Sequence, residues 1–444
     1  MIKKNVVGLL LVLSMFSITI VAQTQDDLTS AARAFVELLV KQDFTTAVAQ
    51  FDDTMKTALP EPKLRETWTA VLAQAGAFKQ AGKARTEKRG EYTIVVLTCD
   101  FQNAALDIKV VFDQAKRAAG LFFAPAATNV EYAPPSYVKA DAFREQEITV
   151  GTGEWALPGT LTVPVGPGPF PAVVLVHGSG PNDRDETLGP NKPFKDLAWG
   201  LASRGVAVLR YEKRTKQYAG KLSSIGGFTV KEEVVDDAIA AVELLRKTER
   251  IDAKRIFVLG HSLGGMLIPR IGRRDGNIAG LISLAGATRP LEDVIPQQLT
   301  YIFSLDGSIS PEEQKQLDAA KEQSAKVKAL KPDDANSATP IFGAPASYWL
   351  DLRGYDPVAT AAELKQPLLV IQGERDYQVT MEDFKRWKAA LAAKSNATLK
   401  SYPELNHLFM PGTGRGKPSE YEQPGHVDQR VIDDIAAWIN KAYR

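Results

Sequence analysis

Ser262 stands in Gly260-His261-Ser262-Leu263-Gly264, with a glycine two residues to either side of the hydroxyl and a further one at Gly265. The apolar run Ile256 to Leu259 before it reads as a buried strand, and Met266 to Ile271 after it reads as helix. Pro269 is an objection to that helix, because proline beyond the first turn removes a hydrogen bond. A sharp strand-to-helix turn strains the serine's backbone, and the flanking glycines remove the side chains that would collide with it. The hydroxyl then stands clear of the sheet edge, and the N–H of Leu263 can hydrogen-bond a developing oxyanion. The competing reading is a glycine-rich turn with an ordinary serine, and it weakens if a base and an acid follow downstream.

A serine hydroxyl is a poor nucleophile until a base takes its proton, and an imidazole near neutral pKa suits that task. The chain has four histidines. His407, in Leu405-Asn406-His407-Leu408-Phe409, lies in a loop after the last predicted strand and is the choice for the base. His426, near the start of the final helix, is the runner-up. His261 adjoins the serine but points away from it at such a turn, and His177 opens a loop that it would brace. The orienting acid belongs at the end of the strand before the base. Asp376 is the choice there and Glu374 the weaker alternative; a carboxylate at that place fixes the imidazole tautomer and stabilises its cation. A second oxyanion donor is expected from the Ser179 N–H, in His177-Gly-Ser-Gly-Pro-Asn-Asp-Arg-Asp-Glu186, where glycines let the backbone turn its amides inward. Asp183 to Glu186 is by default a solvated loop; the alternative is a salt-bridged brace at the mouth of the site.

Elements to hold these residues follow from the hydrophobic periodicity. From residue 144 to the C-terminus strands alternate with helices, which calls for a mostly parallel sheet covered on both faces. Arg144 to Val150 and Gly159 to Val165 open it as a hairpin. The strand Ala172 to Val176, helix Phe194 to Ser203, strand Val206 to Tyr211 and helix Lys231 to Lys247 precede the Ser262 strand and helix. Strands Ile278 to Leu284, Pro367 to Gln372 and Thr398 to Tyr402, the helix Met381 to Lys394 and a closing helix Val427 to Ala442 complete the pattern. Between about 288 and 363 a helical insertion, including Pro311 to Leu330, interrupts the alternation where a cap would cover a serine site. Tyr301, Phe303, Tyr348 and Trp349 either line that cap or belong to its core.

Ahead of this region lie three further segments. Residues 1–22 pair Lys3 and Lys4 with the uncharged run Val6 to Val21, as an export signal does, with cleavage expected after Ala22; an uncleaved anchor is the alternative. Residues 26–126 show helical spacing to about 75, with Asp43 and Glu61 near helix starts, and then four strand-like stretches over 77–88, 91–102, 105–112 and 118–124. Helices first and hairpins after make a small α+β accessory domain. Residues 127–143, with Pro134-Pro135, read as a linker. The lone Cys99 cannot form an internal disulfide or a cysteine zinc site and is expected as a small buried residue.

Fifty-four basic side chains against 53 acidic ones leave no charge excess that favours nucleic acid or an anionic membrane. A neutral small molecule is the easier partner, and an export signal without disulfides fits a bacterial periplasm or exterior.

His177-Gly-Ser-Gly-Pro-Asn-Asp-Arg-Asp-Glu, Leu209-Arg-Tyr-Glu-Lys-Arg, Gly260-His-Ser-Leu-Gly-Gly, Gly373-Glu-Arg-Asp and Asn406-His-Leu-Phe together resemble the α/β-hydrolases. The likeness is nearest to secreted bacterial esterases of the serine-aminopeptidase-like and dienelactone-hydrolase-like branches. The order Ser262, Asp376, His407 is the order that fold uses. The resemblance implies hydrolysis of a small carboxylic ester of short or medium chain through an acyl-serine, with neither metal nor organic cofactor and no stable membrane insertion once the signal is cleaved. A peptidase, aminopeptidase or thioesterase of the same fold is the alternative, and a non-catalytic envelope binding module a more distant one. Thr215, where relatives usually carry glycine, is a departure that would alter the nearby loop. The first domain resembles the cystatin-like and nuclear-transport-factor-like domains, and a domain of unknown function found ahead of secreted hydrolases.

Overall fold

The computed structural model describes residues 16–126, 132–225, 227–337 and 339–441. They belong to two compact units that divide between residues 129 and 130.

In the first unit the helices Phe16–Val40, Phe44–Ala49, Asp53–Ala58 and Glu61–Ala75 come first. Asp43 and Asp52 accept the N–H groups of Thr46 and Met55 at 3.1 and 2.7 Å, capping two helix starts whose donors would otherwise be unpaired. Strands β1 (Phe78–Arg89), β2 (Tyr92–Phe101), β3 (Ala105–Phe112) and β4 (Ala118–Pro125) then form an antiparallel sheet in sequence order. Phe35, Leu39, Phe51 and Trp68 pack with Val95, Leu97, Ile108 and Val110 into one core. Cys99 is wholly buried in it, and burial pushes its thiol up to about 11, so it behaves as the small apolar residue expected. The first helix runs back through Ala22, the expected cleavage point, while residues 1–15 of the expected export signal lie outside the described residues. Among the described residues no helix is long and apolar enough to cross a membrane.

The second unit is built on eight strands: β5 (Phe143–Val150), β6 (Leu157–Pro164), β7 (Phe170–Val176), β8 (Ala207–Tyr211), β9 (Ile251–His261), β10 (Gly280–Leu284), β11 (Leu368–Gly373) and β12 (Ala397–Tyr402). Their order across the sheet is β12-β11-β10-β9-β7-β8-β6-β5, parallel from β12 to β8, with β6 antiparallel to both β8 and β5. This is the α/β-hydrolase sheet that the resemblance implied. Every residue of β8, β10 and β11 is buried, as a sheet covered on both faces requires. The chain leaves β7 for β8 on one side and returns to β9 on the other. The carboxyl ends of β7 and β9 therefore flank a topological switch point, where open α/β sheets bind ligands.

Several elements differ from their sequence reading. Pro269 lies inside an uninterrupted helix, Leu263–Arg274; the carbonyl it cannot satisfy, that of Gly265, accepts instead from Ser283 Oγ at 3.1 Å. The expected helix 231–247 opens with a π-turn, Lys231–Val235, before the α-helix Asp236–Arg246. Short helices Arg214–Gln217 and Ala219–Ser224 carry too little periodicity to be read in advance. The insertion holds helices Leu291–Phe303, Pro311–Ala329, Ala346–Leu352 and Pro357–Glu363.

Residues 132–143, expected within a linker, are docked on the second unit. Tyr132 and Tyr137 donate their hydroxyls to Asp196 Oδ1 at 2.6 Å and to the Val427 carbonyl at 2.8 Å. Asp196, itself 1% exposed, also accepts the Val427 N–H at 2.9 Å and faces His426 Nδ1 at 3.0 Å. A proline-rich stretch without periodicity is thus ordered by partners far away in the chain. Asp196→Ala leaves several of these donors without an acceptor and is expected to lower the unfolding free energy of the second unit by at least about 2 kcal/mol. Denaturant unfolding reads the change, and an unmoved midpoint would mean that this acid does not hold the segment.

Candidate active site

The turn after β9 holds Ser262 at φ 53° and ψ −115°, and the helix Leu263–Arg274 starts directly behind it. A side chain in that conformation is tolerated only where its surroundings over-determine it. They do here: Ser262 N–H donates to the Leu284 carbonyl at 2.9 Å, and its own carbonyl accepts Met266 N–H at 2.9 Å. A Cβ on Gly260 would overlap the Gly264 carbonyl, and one on Gly264 the Val176 carbonyl. Both glycines are therefore required by close backbone approach across the turn.

The other expected residues gather at neighbouring strand ends. Asp376, just beyond β11, and His407, beyond β12, are both buried, and His407 Nδ1 lies 2.6 Å from Asp376 Oδ2. Asp376 is aimed by its own loop: Oδ1 accepts the N–H groups of Gln378 and Val379 at 2.7 and 3.0 Å, and Oδ2 accepts Gln372 Nε2 at 3.2 Å. With Nδ1–H donating to the acid, Nε2 of His407 is the nitrogen left to take a proton. Glu374, the alternative acid, is drawn off to Ser401 Oγ at 2.7 Å. His426, the alternative base, is engaged with Asp196 instead. Asn406 shapes the base's loop, its Oδ1 accepting the N–H groups of Leu408 and Met410 at 3.1 Å each.

Beyond β7 the chain passes so close to the serine that a Cβ on Gly178 would lie 3.1 Å from Ser262 Cβ. The Gly178 carbonyl accepts Lys213 Nζ at 2.8 Å and Asn182 Nδ2 at 3.1 Å. In a trans peptide the Ser179 N–H points the opposite way from that carbonyl, free of both partners. Ser179, Ser262 and Leu263 all line one cavity of about 800 Å³. Tyr348 and Trp349 line it too, as does Thr215, whose hydroxyl donates to Glu233 Oε1 at 3.2 Å. Tyr301 does not line this cavity; its ring stacks on Tyr377 and its hydroxyl donates to the Gly416 carbonyl.

Asp183 to Glu186 is not the solvated loop that so many charges suggested. Arg184 pairs with Glu147 and Glu212 at 2.7 and 2.9 Å, and Asp185 with Arg210 and Lys192. Glu186, 6% exposed, accepts the Gly178 N–H at 2.6 Å and lies 2.9 Å from His261 Nδ1. His261 Nε2 in turn lies 3.0 Å from the His407 carbonyl. A carboxylate on one ring nitrogen and a carbonyl on the other suit an imidazolium. Burial opposes that charge, but Glu186 outweighs it and raises His261 above its ordinary value. One chain of polar contacts thus ties the loop after β7, the serine turn and the loop of His407. Glu186 was expected only within the alternative reading of a salt-bridged brace at the mouth, and Lys213 was given no part in the site. The available signal was that both lie inside motifs at strand ends, where charged side chains must find buried partners.

His177 is the brace expected, buried against the rings of Phe194 and Tyr211 at 5.1 and 5.4 Å. Among the described residues no group of three or more His, Cys, Asp or Glu side chains is arranged to hold a metal ion.

The chain matches two described families, a serine aminopeptidase family, S33, over residues 169–411 and a protein family of unknown function, DUF3887, over 32–121. It is 42% identical over 407 residues to esterase EstD of Thermotoga maritima, covering 92% of this chain and 94% of that one. This chain belongs to the S33 serine hydrolase family. Solved structures similar to it include Est1E from Butyrivibrio proteoclasticus, at 16% identity over 67% of this chain and 98% of that one with a TM-score of 0.43. The Pyrococcus furiosus esterase Pf2001 is 17% identical over 70% of this chain and 97% of that one, again with a TM-score of 0.43. Residues 32–121, matched to DUF3887, fall within the first compact unit, and the S33 match falls within the second.

In this S33 hydrolase burial pulls His177 down to about 4 from 6.5, so the unfolded chain takes up its proton more readily than the folded one. The stability from that residue is present above pH 6.5 and is lost as pH falls towards 4, by about 3 kcal/mol. The unfolding free energy of the wild type is expected to fall by that amount relative to His177→Phe between those pH values. A difference that stays constant with pH would mean that the imidazole is not held neutral in the fold.

Proposed function

We propose that the second unit is an exported serine esterase acting on neutral carboxylic esters of short or medium chain. Ser262 is the nucleophile, His407 its base, Asp376 the orienting acid, and the Leu263 and Ser179 amides the oxyanion donors. That the chain hydrolyses carboxylic esters follows from its family and from its likeness to esterase EstD across nearly the whole length of both. The buried Asp376–His407 pair beside the strained Ser262 turn is the observation that carries the assignment of roles.

The chemistry runs on this chain's own groups. His407 Nε2 takes the Ser262 hydroxyl proton as Oγ bonds to the carbonyl carbon, and the amides receive the negative oxygen. The C–O bond to the alcohol breaks as His407 returns the proton to it. Water, deprotonated by the same nitrogen, then bonds to the acyl carbon, and the bond to Ser262 Oγ breaks as His407 returns the proton to Oγ, releasing the acid. The Glu186 and Lys213 contacts hold the Gly178–Ser179 backbone in place before any charge develops, so that stabilising the oxyanion requires little reorganisation.

Esters are favoured over aminoacyl amides by the charge lining the cavity. Glu233 is the one carboxylate on its wall among the described residues, and Lys213, buried with it, offsets that charge at 3.0 Å. No uncompensated acid on that wall is therefore left to anchor a substrate ammonium. Export rests on Lys3, Lys4 and the apolar run to Val21. Fractionation of expressing cells with N-terminal sequencing of the product tests it, and an intact N-terminus in the cytoplasmic fraction would sink it. The first unit is proposed as accessory, for binding or assembly.

Ser262→Ala is expected to reduce turnover of short-chain esters by at least about 10⁴-fold. Asp376→Asn is expected to reduce it about a thousandfold or more. Both variants should keep the wild-type circular dichroism. Rates on matched acyl esters and aminoacyl amides decide between esterase and aminopeptidase, and faster amide cleavage would overturn the preference for esters.

A further inference from the structure

The wall of the cavity opposite in chemistry to its polar end is aromatic. Phe342, Trp349, Tyr348 and Phe228 all line it, and their ring centroids follow one another at 5.7, 5.9 and 5.9 Å. Phe342 sits at the tip of a two-residue hairpin, Ile341 and Ala344 exchanging both backbone hydrogen bonds at 2.9 and 3.0 Å. Phe342 and Gly343 have φ of 47° and 76°. Two successive positive φ values mark the tight hairpin turn that Asn-Gly ordinarily fills, and a bulky side chain at its first position is disfavoured. The conformation is imposed from both sides: the Phe342 N–H donates to Gln323 Oε1 at 2.8 Å, and Trp349 Nε1 donates to the Ile341 carbonyl at 2.8 Å. A phenylalanine kept where asparagine would be relaxed, with its ring on a cavity shared with the nucleophile, has a use that outweighs the strain.

We propose that Phe342 is a specificity-determining residue, completing an aromatic wall that receives an aryl group carried by the acid or the alcohol of the ester. Flat rings meet this run of tilted and edge-on rings in the arrangements that aromatic pairs prefer, whereas a flexible alkyl chain gains only burial and loses more rotational freedom. The inference rests on the ester-hydrolase reading and adds the substrate class to it.

Matched pairs of esters test it: methyl 3-phenylpropanoate against methyl hexanoate for the acid side, and 2-phenylethyl acetate against hexyl acetate for the alcohol side, followed by pH-stat. In at least one pair the wild type is expected to favour the aryl ester in kcat/KM by about fivefold or more. Phe342→Ala and Phe342→Asn should both bring that ratio close to one, while Phe342→Asn raises Tm because asparagine accepts the turn. Absence of an aryl preference in both pairs, or a preference that survives both substitutions, would overturn the proposal. Should the wild type hydrolyse none of the four, the esterase reading itself fails; turnover of the alkyl esters without aryl preference defeats the aromatic wall alone.

Discussion

A backbone that must turn from strand to helix within one residue governs this site. Ser262 takes a left-handed φ of 53°, and the turn closes only because Gly260 and Gly264 let neighbouring carbonyls approach within what a Cβ would occupy. The proposed catalytic groups are all placed relative to that point. The helix behind it begins with N–H groups that have no partner within the helix, β7 brings Gly178 against the serine, and the backbone of His407 is tied to His261 beside it. Strain at Ser262 persists because the Leu284 carbonyl and the start of the helix Leu263–Arg274 fix it at both ends.

Charge, rather than apolar packing, then joins the loops that meet there. Glu186 holds the Gly178 amide and faces His261, whose other nitrogen faces the backbone of His407. Lys213 holds the Gly178 carbonyl and offsets Glu233. Such buried groups cost desolvation, and removing one partner strands another. Their value is geometric: several loops that share no secondary structure are held in one register around a reacting centre.

The cap adds selectivity of a different kind. Its hairpin at Ile341–Ala344 and the adjoining helix Ala346–Leu352 bring Phe342, Tyr348 and Trp349 to the cavity that Ser262 also lines, so in the proposed reading the sheet carries the reaction and the insertion shapes the substrate. Tyr348 and Trp349 reach the cavity and Tyr301 does not, although in helical spacing they looked alike.

Local patterning made much of this legible. Alternation of buried strands and amphipathic helices specifies a parallel sheet, because only crossover helices can return the chain to pair in that sense, and the glycine spacing around Ser262 has few other uses. Position after a strand offered both Glu374 and Asp376 as the acid; only the fold shows that Asp376 is the one that meets His407, while Glu374 turns to Ser401. What periodicity could not carry were contacts between residues distant in the chain. The docking of Tyr132 and Tyr137, the rescue of the Gly265 carbonyl by Ser283, the pairing of each charge in Asp183–Glu186 and the pinned turn at Phe342 all depend on partners that share no local pattern with them. A side chain's neighbours along the chain determine its secondary structure, but the energy of a buried charge or a strained φ is decided by whatever the fold brings within a few ångströms, and that information exists only once the sheet has closed over its helices.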